Sequence, residues 1–167
     1  IPVPIECNKP DQLNMNGFIT YCANVFSGFL KSNNNEVAAL VVEPLLQAAG
    51  GFRMYPPQFL DMLGNLCTNY NVHLIVDEVA TGFGRTGRHF AVDHIPNLNP
   101  DFLCLSKGLT SGTLPLAATL TTAHLKRLQA PKNFGEQNSV WYNYGIIINK
   151  ITKKFKNDKI KIKLTAY

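Results

Sequence analysis

The sequence predicts an α/β domain built on a mostly parallel sheet. Three observations carry this expectation. Short continuous apolar runs of strand length recur along the chain, as from Val37 to Val42 and from Val72 to Val76. Stretches of helical period alternate with them, and acidic, glycine-rich or polar residues close each run. Buried strands separated by helical or loop crossovers are the pattern of a sheet that packs layers of helix against itself.

Taken in order, residues from about Asp11 to Lys31 place Phe18, Tyr21, Cys22, Val25, Phe26 and Phe29 at helical spacing, so a helix is expected there. The polar Ser32-Asn33-Asn34-Asn35 breaks it. Val37 to Val42 then reads as a strand covered on both faces, and Glu43-Pro44 ends it. Proline removes a backbone donor and restricts the residue before it. Ala49-Gly50-Gly51 is expected as a loop, and Pro56-Pro57 precedes a helix from Gln58 to about Tyr70, proline being well suited to a first helical turn. Val72 to Val76 is a second buried strand ending at Asp77-Glu78, followed by the glycine-rich loop Thr81 to Gly87. Phe102 to Leu105 is a third, running into Ser106-Lys107-Gly108, and Leu116 to Thr121 a fourth. Ligands of parallel sheets gather at the carboxyl ends of the strands. Glu43, Asp77 and Lys107, each just past a strand, should therefore share one edge.

The totals bound what the chain can be. With 167 residues there is material for one domain with a core and too little for two ordinary ones. Hydrophobic residues at 46% against charged residues at 16% exclude a disordered polyelectrolyte. No apolar run approaches the roughly 20 residues of a membrane span. The first residues carry no basic region, no signal-like apolar stretch and no Met, so a fragment is expected. The net charge of +5 resides in the tail, where Ile146 to Tyr167 is rich in lysine while the remainder is close to neutral. That distribution argues against a nucleic-acid-binding face. Residues 131–167 are accordingly read as a divergent basic tail, distinct from a folded unit over 1–130. Cys7, Cys22, Cys67 and Cys104 form no zinc-type spacing, so no metal site is expected. They read as reduced structural thiols, which suits a cytoplasmic protein.

Asp77 and Lys107 are the pair with chemistry in it. A partly neutral lysine amine can condense with an aldehyde, and an aspartate beneath a pyridine nitrogen keeps that nitrogen protonated. Singly, each has a plainer reading: Asp77 as a turn acid, Lys107 as a surface charge. A further pattern, Gly82-x-Gly84-x-x-Gly87, satisfies the spacing of a dinucleotide fingerprint. That fingerprint needs its first glycine at a strand-to-helix turn, whereas here the strand ends about five residues earlier, so it is rejected.

Three segments taken together are more specific. Val42-Glu43-Pro44, the run Asp77-Glu78-Val79-Ala80-Thr81-Gly82-Phe83-Gly84-Arg85-Thr86-Gly87, and Leu105-Ser106-Lys107-Gly108-Leu109-Thr110 resemble the class III aminotransferases of fold type I. Ala80 to Arg85 and Leu116 to Thr122 look most like the biotin-pathway subgroup, which aminates 8-amino-7-oxononanoate, usually with S-adenosylmethionine as donor. The resemblance covers roughly Val3 to Leu128. It implies part of the three-layer large domain, with pyridoxal 5'-phosphate as cofactor and a homodimer as the family's assembly. Carried over by position, Lys107 would be the lysine that holds the cofactor and shuttles the proton. Asp77 would pair with the pyridine nitrogen, Val79 would pack on one ring face, and Arg85 would lie near the substrate. Glu43 matches an acid near the cofactor, with a backbone-bonding structural acid as the equal alternative; Arg85 has a solvated loop charge as its own. Family members are more than twice as long, so this chain alone is expected to turn over little or nothing. The rival readings are another class III enzyme, acting on ω-amino acids or acetylornithine, and a non-catalytic remnant.

Overall fold

The computed structural model describes residues 1–121. The tail at 131–167, and the boundary proposed for it, lie outside the described residues. Helix α1 (Met15–Asn33) starts four residues later than its apolar period suggests, because Asn14 caps it: its side chain accepts from Gly17 N at 2.8 Å. It buries Phe18, Ile19, Cys22, Ala23, Phe26 and Leu30, the i, i+4 stripe of an amphipathic helix. It runs through Asn33, whose side-chain amide donates to the Phe29 carbonyl at 2.8 Å, so the polar break begins two residues late. Helix α2 (Pro57–Asn69) opens on proline as expected and buries Phe59, Leu60, Leu63 and Cys67.

The four apolar runs are strands: β1 (Ala39–Val42), β4 (His73–Asp77), β5 (Phe102–Leu105) and β6 (Ala118–Thr121). They form one sheet in the order β1-β4-β5-β6. The first three are parallel and β6 is antiparallel to β5. The α/β, mostly parallel architecture is the expected one. A short antiparallel pair, β2 (Leu46–Gln47) and β3 (Arg53–Met54), was not expected. The predicted Ala49-Gly50-Gly51 loop is its tip, with Gly51 and Phe52 both in the left-handed region. Tyr55, buried behind it, donates its hydroxyl to the Glu43 carbonyl at 2.5 Å.

The core lies on one face of the sheet. Leu40, Val42, Leu74, Val76 and Leu103 pack against the cluster formed by α1 and α2. Alternation sends Val41, Ile75 and Asp77 to the other face. There Val41 is 64% exposed, so among the described residues β1 is not covered on both faces as the apolar run suggests. Among the same residues no helix is long and apolar enough to cross a membrane. No disulfide joins the cysteines; Cys22, Cys67 and Cys104 are buried, whereas Cys7 is at the surface and is no core thiol.

Candidate functional site

The carboxyl edge of the sheet gathers the residues with chemistry. Asp77 is the last residue of β4, and its Cα partner across the ladder is Cys104 of β5. Three residues beyond Cys104, Lys107 opens a 3-10 turn ending at Leu109. Parallel pairing of β4 and β5 thus carries the two groups to the same edge. Glu43 follows the last residue of β1, the next strand over.

Asp77 is half-buried, and its Oδ1 accepts from Val79 N at 2.9 Å. Its Oδ2 accepts nothing from the described residues and stays available to a donor arriving from the open face of the sheet. Val79 is half-buried beside it and is held in place by that same bond. Lys107 is exposed, and its ammonium makes no ion pair or hydrogen bond among the described residues. Burial, which would favour a partly neutral amine, is therefore not furnished by the described residues. Arg85 stands exposed on the glycine loop, without an ion pair or hydrogen bond among those residues. Glu43 does what its structural alternative describes: its Oε2 accepts from Ala48 N at 2.9 Å, tying β1 to the β2–β3 hairpin.

The glycine loop is well braced. Gly84 N donates to the His89 carbonyl at 3.2 Å and Gly87 N to Gly84 O at 3.0 Å. The His94 ring nitrogen Nε2 lies 2.9 Å from Thr86 O. The loop leads into a 3-10 turn (Ala91–His94) and not into an α-helix, which agrees with setting the dinucleotide fingerprint aside. Gly82 is required by close approach, since a β-carbon there would lie 2.9 Å from the Glu78 carbonyl oxygen.

Two features of this edge escaped the sequence reading. Glu78 is fully buried, with Oε2 accepting from Thr81 Oγ1 at 2.7 Å and Oε1 from Val92 N at 2.9 Å. A signal for it was present: alternation places Asp77 on the open face and Glu78 on the core face. Phe83, in the left-handed region at φ 59°, fills the space a β-carbon on Gly108 would need. Nothing in the sequence spacing announces that contact. Ser106, before Lys107, donates its hydroxyl to Leu116 O at 2.9 Å and ties the turn to the strand that follows.

A cleft of about 390 Å³ opens elsewhere, lined by Asp61, Asn65, Thr68, His73 and Asp101 among others. It sits at the amino ends of β4 and β5 and contains none of Glu43, Asp77, Arg85 or Lys107. Asp77 and Lys107 lie at the opposite edge of the same strands, one closing β4 and the other opening the turn after β5. The donor set there suits pyridoxal phosphate: an amine for its aldehyde and an acid for its ring nitrogen, on neighbouring strands.

Comparison with known proteins gives the same direction. The aminotransferase class-III family matches residues 2–141. The chain is 45% identical over 100 residues to adenosylmethionine-8-amino-7-oxononanoate aminotransferase of Buchnera aphidicola subsp. Acyrthosiphon pisum, covering 60% of this chain and 23% of that one. It is 50% identical over 93 residues to the protein of the same name in Staphylococcus aureus, covering 56% of this chain and 20% of that one. An omega transaminase from Pseudomonas jessenii, solved in complex with PMP, superposes with a TM-score of 0.68 at 30% identity. That match covers 74% of this chain and 27% of the solved one. The chain thus spans about a fifth to a quarter of the length of the curated relatives it matches.

Proposed function

The chain belongs to the aminotransferase class-III family, and from that membership we propose that it contributes the central part of the cofactor-carrying domain of a biotin-pathway aminotransferase. The reaction would exchange the keto oxygen of 8-amino-7-oxononanoate for an amino group, giving 7,8-diaminononanoate, while the donor leaves as the corresponding keto compound. The relatives from Buchnera aphidicola and Staphylococcus aureus, at 45% and 50% identity, support this substrate, and their printed name points to S-adenosylmethionine as donor. A homodimer and a cytoplasmic setting are part of the same proposal.

The observation that carries the reading is the placement of Asp77 and Lys107 at the carboxyl edge of two adjacent parallel strands. Pyridoxal phosphate, when bound, supplies an aldehyde carbon that takes up the amino group and a pyridine ring that draws off electrons. The rest falls to the protein. Lys107 Nζ would hold the cofactor covalently and, once displaced by the incoming amino group, would be free as an amine to carry the proton that leaves the substrate carbon. The open Oδ2 of Asp77 keeps a proton on the ring nitrogen, while its other oxygen is oriented by Val79 N. A charge-assisted hydrogen bond of this type contributes roughly 1.5–3 kcal/mol. Val79 supports one face of the ring, and Arg85 offers an unpaired cation to the substrate side. Glu43 would serve the same edge indirectly, holding the β2–β3 hairpin beside it through Ala48 N.

The test is the absorbance spectrum of the intact chain with added pyridoxal phosphate, beside Lys107→Ala. A band near the visible edge that disappears in the variant is expected; borohydride reduction and peptide mapping should place the pyridoxyl label on Lys107. No band, or one that survives the substitution, would refute the assignment. A second reading is an enzyme acting on other ω-amino donors, favoured by the match to the Pseudomonas jessenii omega transaminase. Turnover by a full-length chain carrying this segment with ω-amino donors, and none with S-adenosylmethionine, would select it.

A further inference from the structure

The geometry points to Glu78 as the positioning residue of this edge, acting through Phe83 on the Lys107 turn. This inference rests on the reading of Lys107 given above. A carboxyl group shut away from water stays there only when its oxygens are satisfied. Those of Glu78 are, and by partners from two different segments: Thr81 at the mouth of the glycine loop and Val92 in the turn that closes it. Its backbone extends the reach further. Glu78 N donates to the Cys104 carbonyl at 2.9 Å, prolonging the β4–β5 ladder, and Glu78 O accepts from Gly82 N at 2.9 Å. One residue therefore fastens the loop at both ends and anchors it to the strand that leads to Lys107.

What the fastened loop presents to that strand is Phe83. Its ring makes an edge contact with Phe90, with centroids 5.8 Å apart, so it is held from behind. In front, it covers Gly108, the residue directly after Lys107. The left-handed backbone of Phe83 is costly for a residue with a β-carbon and persists only where surrounding contacts impose it. The Glu78 bonds on one side and the Phe90 contact on the other are those contacts. Glu78 touches neither cofactor nor substrate in this scheme. It fixes where the Lys107 turn sits relative to Asp77, its own neighbour in the chain.

The experiment compares Glu78→Ala, Glu78→Gln and Phe83→Ala with the unsubstituted intact chain. One readout needs no cofactor: amide hydrogen exchange at Leu109, whose N–H donates to Ser106 O within the Lys107 turn, against exchange along α2. Losing a hydrogen bond or an aromatic contact should raise Leu109 exchange about threefold to tenfold in Glu78→Ala and in Phe83→Ala, with α2 unchanged. Glutamine should restore protection, because its amide can accept from Val92 N and donate to Thr81 Oγ1. The second readout is the Lys107-dependent absorbance band at fixed pyridoxal phosphate, which should fall in the two alanine variants and recover in Glu78→Gln. Unchanged Leu109 exchange in Phe83→Ala would overturn the inference. So would equal loosening of Leu109 and α2, or a glutamine variant that behaves like alanine. If Glu78→Ala does not fold, Phe83→Ala at its partly exposed site decides the matter. Absence of the band in the unsubstituted chain would sink the functional reading instead, and the exchange result would still judge the positioning role.

Discussion

Phe83 lies so close over Gly108 that no side chain fits at Gly108 while Phe83 keeps its place. A β-carbon on Gly108 would lie 2.6 Å from Phe83 Cδ2 and 2.7 Å from its Cβ, inside any real contact distance. The ring stem, and not just a flexible tip, blocks the space. Gly108→Ala should therefore displace the loop or the Lys107 turn and destabilise the fold by about 1–3 kcal/mol, the usual range for overpacking. Urea unfolding measures this, and an unchanged midpoint would contradict the contact.

Asp77→Asn should separate the two jobs of that side chain. The amide oxygen can still accept from Val79 N, so unfolding by urea should hardly change. The charge proposed to face the cofactor is lost, and exchanging a charge-assisted bond for a neutral one should weaken pyridoxal phosphate binding about tenfold. An absorbance titration reads the affinity; equal affinity in the variant would remove Asp77 from the site.

Alkaline pH should weaken the fold through buried thiols. Burial, with the negative Asp101 carboxyl adding to it, pushes the Cys67 thiol up to about 12. The folded chain then holds this proton more tightly than the unfolded chain. The contribution is complete below the ordinary thiol value near 9 and is lost as pH rises toward about 12. One such group gives a slope of at most about 1.4 kcal/mol per pH unit. Between pH 9 and 10, Cys67→Ala should show a shallower fall in stability, while the buried Tyr55 hydroxyl, raised above its ordinary value of 10, keeps contributing part of the slope. Burial raises the Cys22 thiol too, so some slope should persist. Iodoacetamide should label the surface Cys7 first.

Asp101 should matter for stability although it lies at the far edge from Lys107. Its Oδ2 accepts from Leu74 N at 2.9 Å, and Oδ1 lies 3.3 Å from His73 Nδ1. Asp101→Ala leaves the Leu74 amide without its acceptor, at about 1–3 kcal/mol. Asp101→Asn keeps an acceptor and should lose less. Chemical denaturation of the pair checks the order.

The main elements were legible because strand-length apolar runs and helical period are direct consequences of burial. The four strands and both helices lie where those patterns put them, and the edge shared by Glu43, Asp77 and Lys107 follows from parallel order. The ends of elements were less legible, since they depend on single bonds such as Asn14 to Gly17 N. The β2–β3 pair was hidden because two-residue strands are too short to show alternation. Coverage was misread at Val41: an apolar residue records what a face can bury, and the covering layer is a property of other segments. Within the site, residue types were readable and contacts were not. Phe83 on Gly108 joins positions 25 apart through a left-handed backbone that no local pattern encodes.

The parallel pairing of β4 with β5 has a consequence for the order in which the chain assembles. Both Asp77 and the approach to Lys107 belong to that one pair, and the bond from Leu74 N to Asp101 pins its base across 27 residues. Closing a loop of that length costs only slightly more entropy than closing a shorter one, because the penalty grows with the logarithm of length. Formation of the β4–β5 pair is therefore expected to be enough to place the two candidate groups at one edge, whatever the timing of β1 and β6.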